Sequence, residues 1–314
     1  MSDLKWSYMD HWVTDSPRGP VGPLHARSYM DRYIQQLAGL GFAGFDTFVY
    51  RLPAIAEMYG SVASFQGFIR DCGMEKITGI FTAYPNATRF RAPHVRETHD
   101  QIVADCRMGV EMCAGLGVEN FIVMPTTTYY DVEPVTAEKL KVTADLWNRV
   151  GEMTLAAGMK TTCHFEFWGA IRTTEELDTF LQLTDPRYVF YFCDTAQHTI
   201  AGVDPVALFE KYHDRCTGFH FKDTRDVDTT EQYRTPPDPE LMAPDVERWF
   251  WEMGTGQGLV DFPALMRSIL ARDWSGWLTV ELDKADVGGG NYAESACVAK
   301  WYIDHVLDQI KADT

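Results

Sequence analysis

No apolar run in this chain approaches the roughly 18 consecutive residues of a membrane-spanning helix. Its opening, MSDLKWSYMDHWVTD, has neither the basic start nor the apolar stretch of a signal peptide. The expected location is the cytoplasm. Positive charge is scarce: 28 Lys and Arg stand against 45 Asp and Glu, for a formal charge of -17. That field repels phosphate backbones and anionic headgroups, which argues against nucleic acid or a membrane surface as partner. Paired cysteines are missing too. The seven, at 72, 106, 113, 163, 193, 216 and 297, are odd in number and contain no CxxC, a usage that suits reduced thiols. What remains is the composition of a folded protein, 46% hydrophobic and 23% charged, in 314 residues. A sizeable core can form, and closed α/β barrels reach this length as one domain.

A repeated unit runs along the chain. AGLGFAGFDTFVY (38–50), RDCGMEKITGIFTA (70–83), CAGLGVENFIVMP (113–125) and AAGMKTTCHFEFW (156–168) each read as a helix end, a glycine and a strand. The stops at Gly41, Gly73, Gly117 and Gly158 are spaced 32, 44 and 41 residues apart, the length of a strand plus a crossover helix. LKWSYMD (4–10), YVFYFCDT (188–195), CTGFHFKDT (216–224) and GWLTVELD (276–283) bring the strands to eight. Helical patterns at 27–39, 55–71, 94–115, 136–157, 174–183, 205–213, 262–272 and 291–311 alternate with them. The reading is a single-domain (β/α)8 barrel over 1–314, with an open doubly wound sheet as runner-up. The segment 225–258, rich in Pro, Asp and aromatics, is too long for an ordinary connection and reads as an inserted loop after strand seven. Active sites of such barrels lie on that face.

In a barrel, a polar residue at the C-terminal end of a strand points toward the mouth. Strand five ends in His164 and Glu166, strand six in Asp194, strand seven in His220, Lys222 and Asp223, and strand eight in Glu281 and Asp283. Two carboxylates about 4 Å apart repel by roughly 4 kcal/mol at an effective dielectric of 20. Three converging carboxylates therefore need a proton or a cation. Glu166, Asp194 and Glu281 with His220 would suit one divalent ion, Mn before Co or Mg, rather than a thiolate-type zinc site.

The stretch CDTAQHTIAGVDPVALFEKYHDRCTGFHFKD (193–223) resembles the run from Asp-Thr-Gly-His through Gly-Asp-Pro to His-x-Lys-Asp found in the xylose-isomerase-like barrels of the sugar phosphate isomerase/epimerase superfamily. GTGQGLVDFPALMRSILARDWSGWLTVELD (254–283) is similar to that family's closing helix and strand. The resemblance implies that Glu166, Asp194, His220 and Glu281 are metal ligands, and that Lys222 and Asp223 orient the ligand histidine. Here Asp194, Thr195, Ala196, Gln197 and His198 replace Asp-Thr-Gly-His, so either Gln197 or His198 faces the substrate. The ketose 3-epimerase pattern Glu-Pro-Leu-Asn is absent after Glu166. The spacing of HFEFWGAIRTTEELDTFLQLTDP is more like the inosose dehydratase branch.

A metal holding a carbonyl and its neighbouring hydroxyl acts as a Lewis acid for removal of the α-proton, after which epimerisation, isomerisation or elimination follows. Glu166 and Glu281 are base candidates. His164 shares a face with Glu166 and, with an unperturbed pKa near 6.5, is the expected base of an elimination. Trp6, Trp12, Tyr84, Tyr129, Tyr130 and Trp168 lie at or just past strand ends, where sugar rings and aryl groups stack. Trp168, Trp12 and Tyr84, with Gln197, His198 and Lys222, are the expected substrate contacts. The resemblance extends to the large subunits of C-glycoside deglycosidases, which eliminate an aglycone from a 3-keto-glycoside with a small partner subunit. The expected activity is an eliminating lyase or isomerase on a keto-sugar or keto-glycoside, assembled with a small subunit or as a homo-oligomer. Inosose dehydratase and ketose 3-epimerase are the alternatives within that class. A non-catalytic sugar-binding subunit and a metal-dependent nuclease are the alternatives outside it, the nuclease disfavoured by the negative charge.

Overall fold

A computed structural model describes residues 2–10, 23–82, 92–234, 249–283 and 292–312. The barrel strands run β1 (Leu4–Met9), β2 (Gly44–Phe48), β3 (Lys76–Phe81), β4 (Asn120–Val123), β5 (Lys160–His164), β6 (Val189–Asp194) and β7 (Cys216–Phe221). A short ribbon follows, β8 (Asp223–Thr224) paired antiparallel with β9 (Phe250–Trp251), and β10 (Gly276–Val280) is the eighth barrel strand. All eight barrel strands are parallel and bonded in chain order, and β10 pairs with both β7 and β1. That closure excludes the open doubly wound sheet.

The glycine stops explain the repeat. Gly41, Gly73 and Gly158, with φ of 84° to 99°, lie one or two residues past the helices that end at Leu40, Asp71 and Ala156, in the left-handed region that ends a helix without a Cβ clash. Gly117, also left-handed at 74°, instead closes the turn that follows the helix ending at Met112. Most helices match their sequence patterns: α1 (Pro23–Leu40), α4 (His99–Met112), α6 (Ala137–Ala156), α7 (Thr174–Leu183), α9 (Pro205–Tyr212) and α10 (Phe262–Ala271). The pattern at 55–71 is two helices, α2 (Leu52–Tyr59) and α3 (Val62–Asp71). Gly60 turns left-handed between them, and Ser61 caps α3 by accepting from the Ser64 amide. The last pattern holds α11 (Tyr292–Tyr302), a π turn at Ile303–Leu307 and α12 (Asp308–Ala312). Two short helices at the mouth, α5 (Tyr129–Val132) and α8 (Thr195–Ile200), had no periodic signal because each spans barely one or two turns.

Strand alternation sorts the side chains. Trp6 and Tyr8 join the large core between strands and helices, whereas Ser7 meets Thr279 at 2.6 Å inside a polar layer. That layer continues as Thr279 Oγ1 donates to buried Asp46 at 3.0 Å, and Thr78 also donates to Asp46. Trp6 therefore lies in the wall, edge-on to Phe221 with Lys311 over its ring, and not among mouth aromatics. The inserted loop leaves and returns on the β8/β9 ribbon. All seven cysteines are free thiols, five of them buried. Among the described residues, no helix is long and apolar enough to cross a membrane.

Candidate functional site

Four consecutive strand ends deliver polar side chains to one point. His164 closes β5, Asp194 closes β6, His220 is the penultimate residue of β7 and Glu281 follows β10. All four are buried, and one donor atom from each lies within 4.8 Å of the others. Asp194 is the hub: its Oδ2 is 3.0 Å from His164 Nε2, 2.9 Å from Lys222 Nζ and 3.7 Å from His220 Nδ1. Its other oxygen accepts the Gln197 amide, so the same carboxylate caps α8. Glu281 Oε2 is 2.8 Å from His220 Nδ1 and 2.7 Å from Lys222 Nζ. Glu166 lies two residues past β5, with Oε1 3.2 Å from His164 Nδ1. Alternation puts His164 and Glu166 on one side and Phe165 on the other, in the core.

Among the described residues, neither ring nitrogen of His220 makes a hydrogen bond, although Nδ1 is 2.8 Å from a carboxylate oxygen; His164 Nδ1 also lacks one. Buried polar atoms are ordinarily satisfied. Imidazole nitrogens and carboxylate oxygens that crowd together without hydrogen-bond alignment suit a shared cation, and this N/O set fits a borderline divalent ion such as Mn or Co.

The electrostatics agree with a cluster that needs positive charge. Burial by itself would lower the His164 pKa, but Glu166 and Asp194 outweigh it and push it up to about 10. Burial raises Glu166 against the pull of His164 and Lys222. Burial would raise Asp194 too, yet Lys222, His164 and His220 hold it below the usual carboxylate range. Burial would lower Lys222, but Asp194, Asp283 and Glu281 keep it well above its ordinary value.

An apolar layer backs the cluster. Phe81 lies 4.9 Å from His164 and 5.9 Å from His220, and Phe192 lies 4.7 Å from His220, ring centre to ring centre. Met9, Phe48, Ile122 and Met124 complete this layer, with Trp168 and Tyr50 packed against it. Both arms of the insertion are fixed near the mouth. Arg172 pairs with Asp228 at 3.1 Å, stacks 3.3 Å from the Tyr233 ring centre and donates to the Phe167 carbonyl. On the return arm, Trp249 meets Phe167 and Phe250 lies over the Lys222 ammonium at 4.3 Å.

The family model for xylose isomerase-like TIM barrels matches residues 34–301. The chain belongs to the xylose isomerase-like TIM barrel family. Within it, the chain is 29% identical over 178 residues to the inosose dehydratase of Lacticaseibacillus casei, an alignment covering 54% of this chain and 58% of that enzyme. The chain thus spans little more than half the length of that curated relative. Among solved structures, an L-ribulose 3-epimerase superposes with a TM-score of 0.73 at 15% identity, covering 100% of this chain and 97% of that one. An IOLI protein with a bound zinc atom gives 0.68 at 14% identity, covering 98% and 99%. At these identities the structural likeness speaks for the barrel.

Within this family member, the expected site residues divide as follows. Asp194, His220 and Glu281 converge with His164, and Glu166 adjoins them through His164. Gln197 Oε1 accepts the Phe167 amide on the mouth side, whereas His198 turns into the core, 2.8 Å from the Tyr191 hydroxyl, where burial lowers its pKa to about 4. Lys222 meets the carboxylates of Asp194, Glu281 and Asp283. Asp223 does not touch His220; it accepts from the Thr224 and Val260 amides and holds the loop before α10. Trp12 and Tyr84 lie outside the described residues. Two buried carboxylates join this region beyond the expected residues: Asp46, whose sequence signal is a lone carboxylate in the apolar strand GFDTF, and Asp10, which pairs with Arg51 at 3.2 Å at the ends of β1 and β2.

Proposed function

We propose that this protein is a divalent-metal-dependent lyase or isomerase that removes a proton α to the carbonyl of a keto-sugar or related cyclic ketone. The buried convergence of His164, Asp194, His220 and Glu281 carries this reading, and inosose dehydratase among the relatives supports it. Asp194, His220 and Glu281 would hold the ion, with Glu166 completing the set that the resemblance implies. Mn fits first, then Co. When bound, such an ion supplies Lewis-acid polarisation of a substrate carbonyl.

His164 has a carboxylate facing each ring nitrogen and is 1% exposed, which suits orienting Asp194 and Glu166 rather than reaching substrate. The base then falls to Glu166, whose basicity burial raises. Glu281, beside His220 and Lys222, would return a proton or deliver one to a leaving group. Phe81 and Phe192 would limit water at this face, with Trp168 packed beside them.

Elimination is the favoured fate, because inosose dehydratases are among the sequence relatives. A deglycosidase-type reaction on a 3-keto-glycoside is the second reading, favoured by the Phe167, Trp249 and Phe250 rings beside Lys222. The test incubates Mn-loaded protein with an inosose and with an oxidised aryl glycoside and follows products by NMR. Loss of water or aglycone supports the reading. No change in either substrate, with metal bound, contradicts it.

A further inference from the structure

Lys222 is an unusual neighbour for a metal site. Its side chain is 1% exposed, and Nζ lies 2.9 Å from Asp194 Oδ2, 2.7 Å from Glu281 Oε2 and 2.9 Å from Asp283 Oδ2. An ammonium has three hydrogens, and three carboxylate oxygens are within reach of them. Two of those oxygens belong to the donor cluster: Asp194 Oδ2 also faces both histidines, and Glu281 Oε2 is the atom nearest His220. Position enforces the sharing, since Lys222 lies two residues beyond His220 and points to the same side. The Phe250 ring covers the ammonium at 4.3 Å, so water does not replace these contacts.

We propose, resting on the metal reading above, that Lys222 is a built-in counter-cation of the cluster: it holds Asp194 and Glu281 together when no ion is bound and opposes an ion that enters. Two carboxylates this close repel strongly in a buried setting, and a fixed ammonium removes that repulsion without a metal. The same positive charge then repels the ion through the oxygens they share. The cluster stays formed without metal, and metal binds more weakly than the donor set alone would dictate. Asp283, at the rim, is the partner that lies outside the four-residue cluster.

The test uses the full chain as wild type, Lys222→Met and Lys222→Gln, with thermal melting in chelator and in Mn2+, and Mn2+ affinity from competition with a chelating dye. Gln can donate hydrogen bonds but carries no charge. Both variants should melt lower than wild type in chelator, recover most of that loss in Mn2+, and bind Mn2+ about tenfold more tightly or better. A Lys222→Gln protein that matches wild type in melting and affinity would reduce Lys222 to a hydrogen-bond donor and overturn the proposal. Equal destabilisation with and without Mn2+, or failure to fold even with Mn2+, would also overturn it. Wild-type protein that binds no Mn2+ would instead refute the metal reading, a result visible before any variant is compared.

Discussion

Replacing Gly258 with Ala probes how the end of the insertion is seated against the site. A Cβ at Gly258 would stand 1.7 Å from Asp223 Oδ2 and 2.0 Å from its Cγ, so the carboxylate must leave. There Asp223 Oδ1 accepts from the Thr224 amide at 2.8 Å and the Val260 amide at 3.2 Å. Hydrogen bonds to a charged acceptor contribute about 1.5–3 kcal/mol each, so displacement costs about 3–6 kcal/mol. Over 314 residues, an unfolding entropy of about 2.1 cal/mol/K per residue turns a 4 kcal/mol loss into a Tm shift of about 6 °C. Asp223→Ala loses the same bonds without a clash. The double variant should then cost little more than either single one, a coupling of about 2 kcal/mol or more in urea unfolding. Strictly additive losses, or a Gly258→Ala protein within 1 °C of wild type, would refute this seating.

Four further outcomes follow from the site. Chelation should lower the Tm and Mn2+ at about 100 to 1,000 times Kd should restore about 3–4 kcal/mol, read by melting in each buffer. Because Glu166 and Asp194 push the His164 pKa up to about 10 in the ion-free protein, protons compete with the ion, and Mn2+ affinity should rise with pH through neutrality. Calorimetry in buffers of different ionisation enthalpy should show proton release on binding. Arg172→Ala strands buried Asp228 and frees Tyr233; it should cost about 3–5 kcal/mol and raise KM while Mn2+ affinity holds. For His198, a folded pKa of about 4 against an unfolded 6.5 means its contribution is present above pH 6.5 and is lost as pH falls toward 4. That loss is about 3 kcal/mol, and His198→Gln should remove it from the acid limb of the stability curve without changing turnover.

The fold was legible because its signals are local. Left-handed glycines at 41, 73 and 158 end helices, and Gly117 closes the turn after one, on the same rhythm that starts the strands, and period-two alternation separates Ser7 and His164 from Trp6 and Phe165. The convergence of Asp194, His220 and Glu281 was legible for a related reason, since equivalent strand ends of a closed barrel point to one mouth. Side-chain destinations past those ends were not. Whether Gln197 or His198 faces the mouth depends on the one-turn helix that Asp194 caps, and such a turn leaves no periodicity. The resemblance to His-x-Lys-Asp made Asp223 an expected partner of His220, but alternation turns it outward to the Val260 amide. Asp46 escaped because its donors, Thr78 and Thr279, come from two other strands.

The most direct test of the metal-centred account is a Mn2+ titration followed by the electron paramagnetic resonance of free ion, in wild type and in Asp194→Asn. Asp194 Oδ2 faces both histidines and Lys222, so the account predicts one ion per wild-type chain and affinity at least a hundredfold weaker in the variant, on the order of 3 kcal/mol. Unchanged stoichiometry and affinity in Asp194→Asn would contradict it.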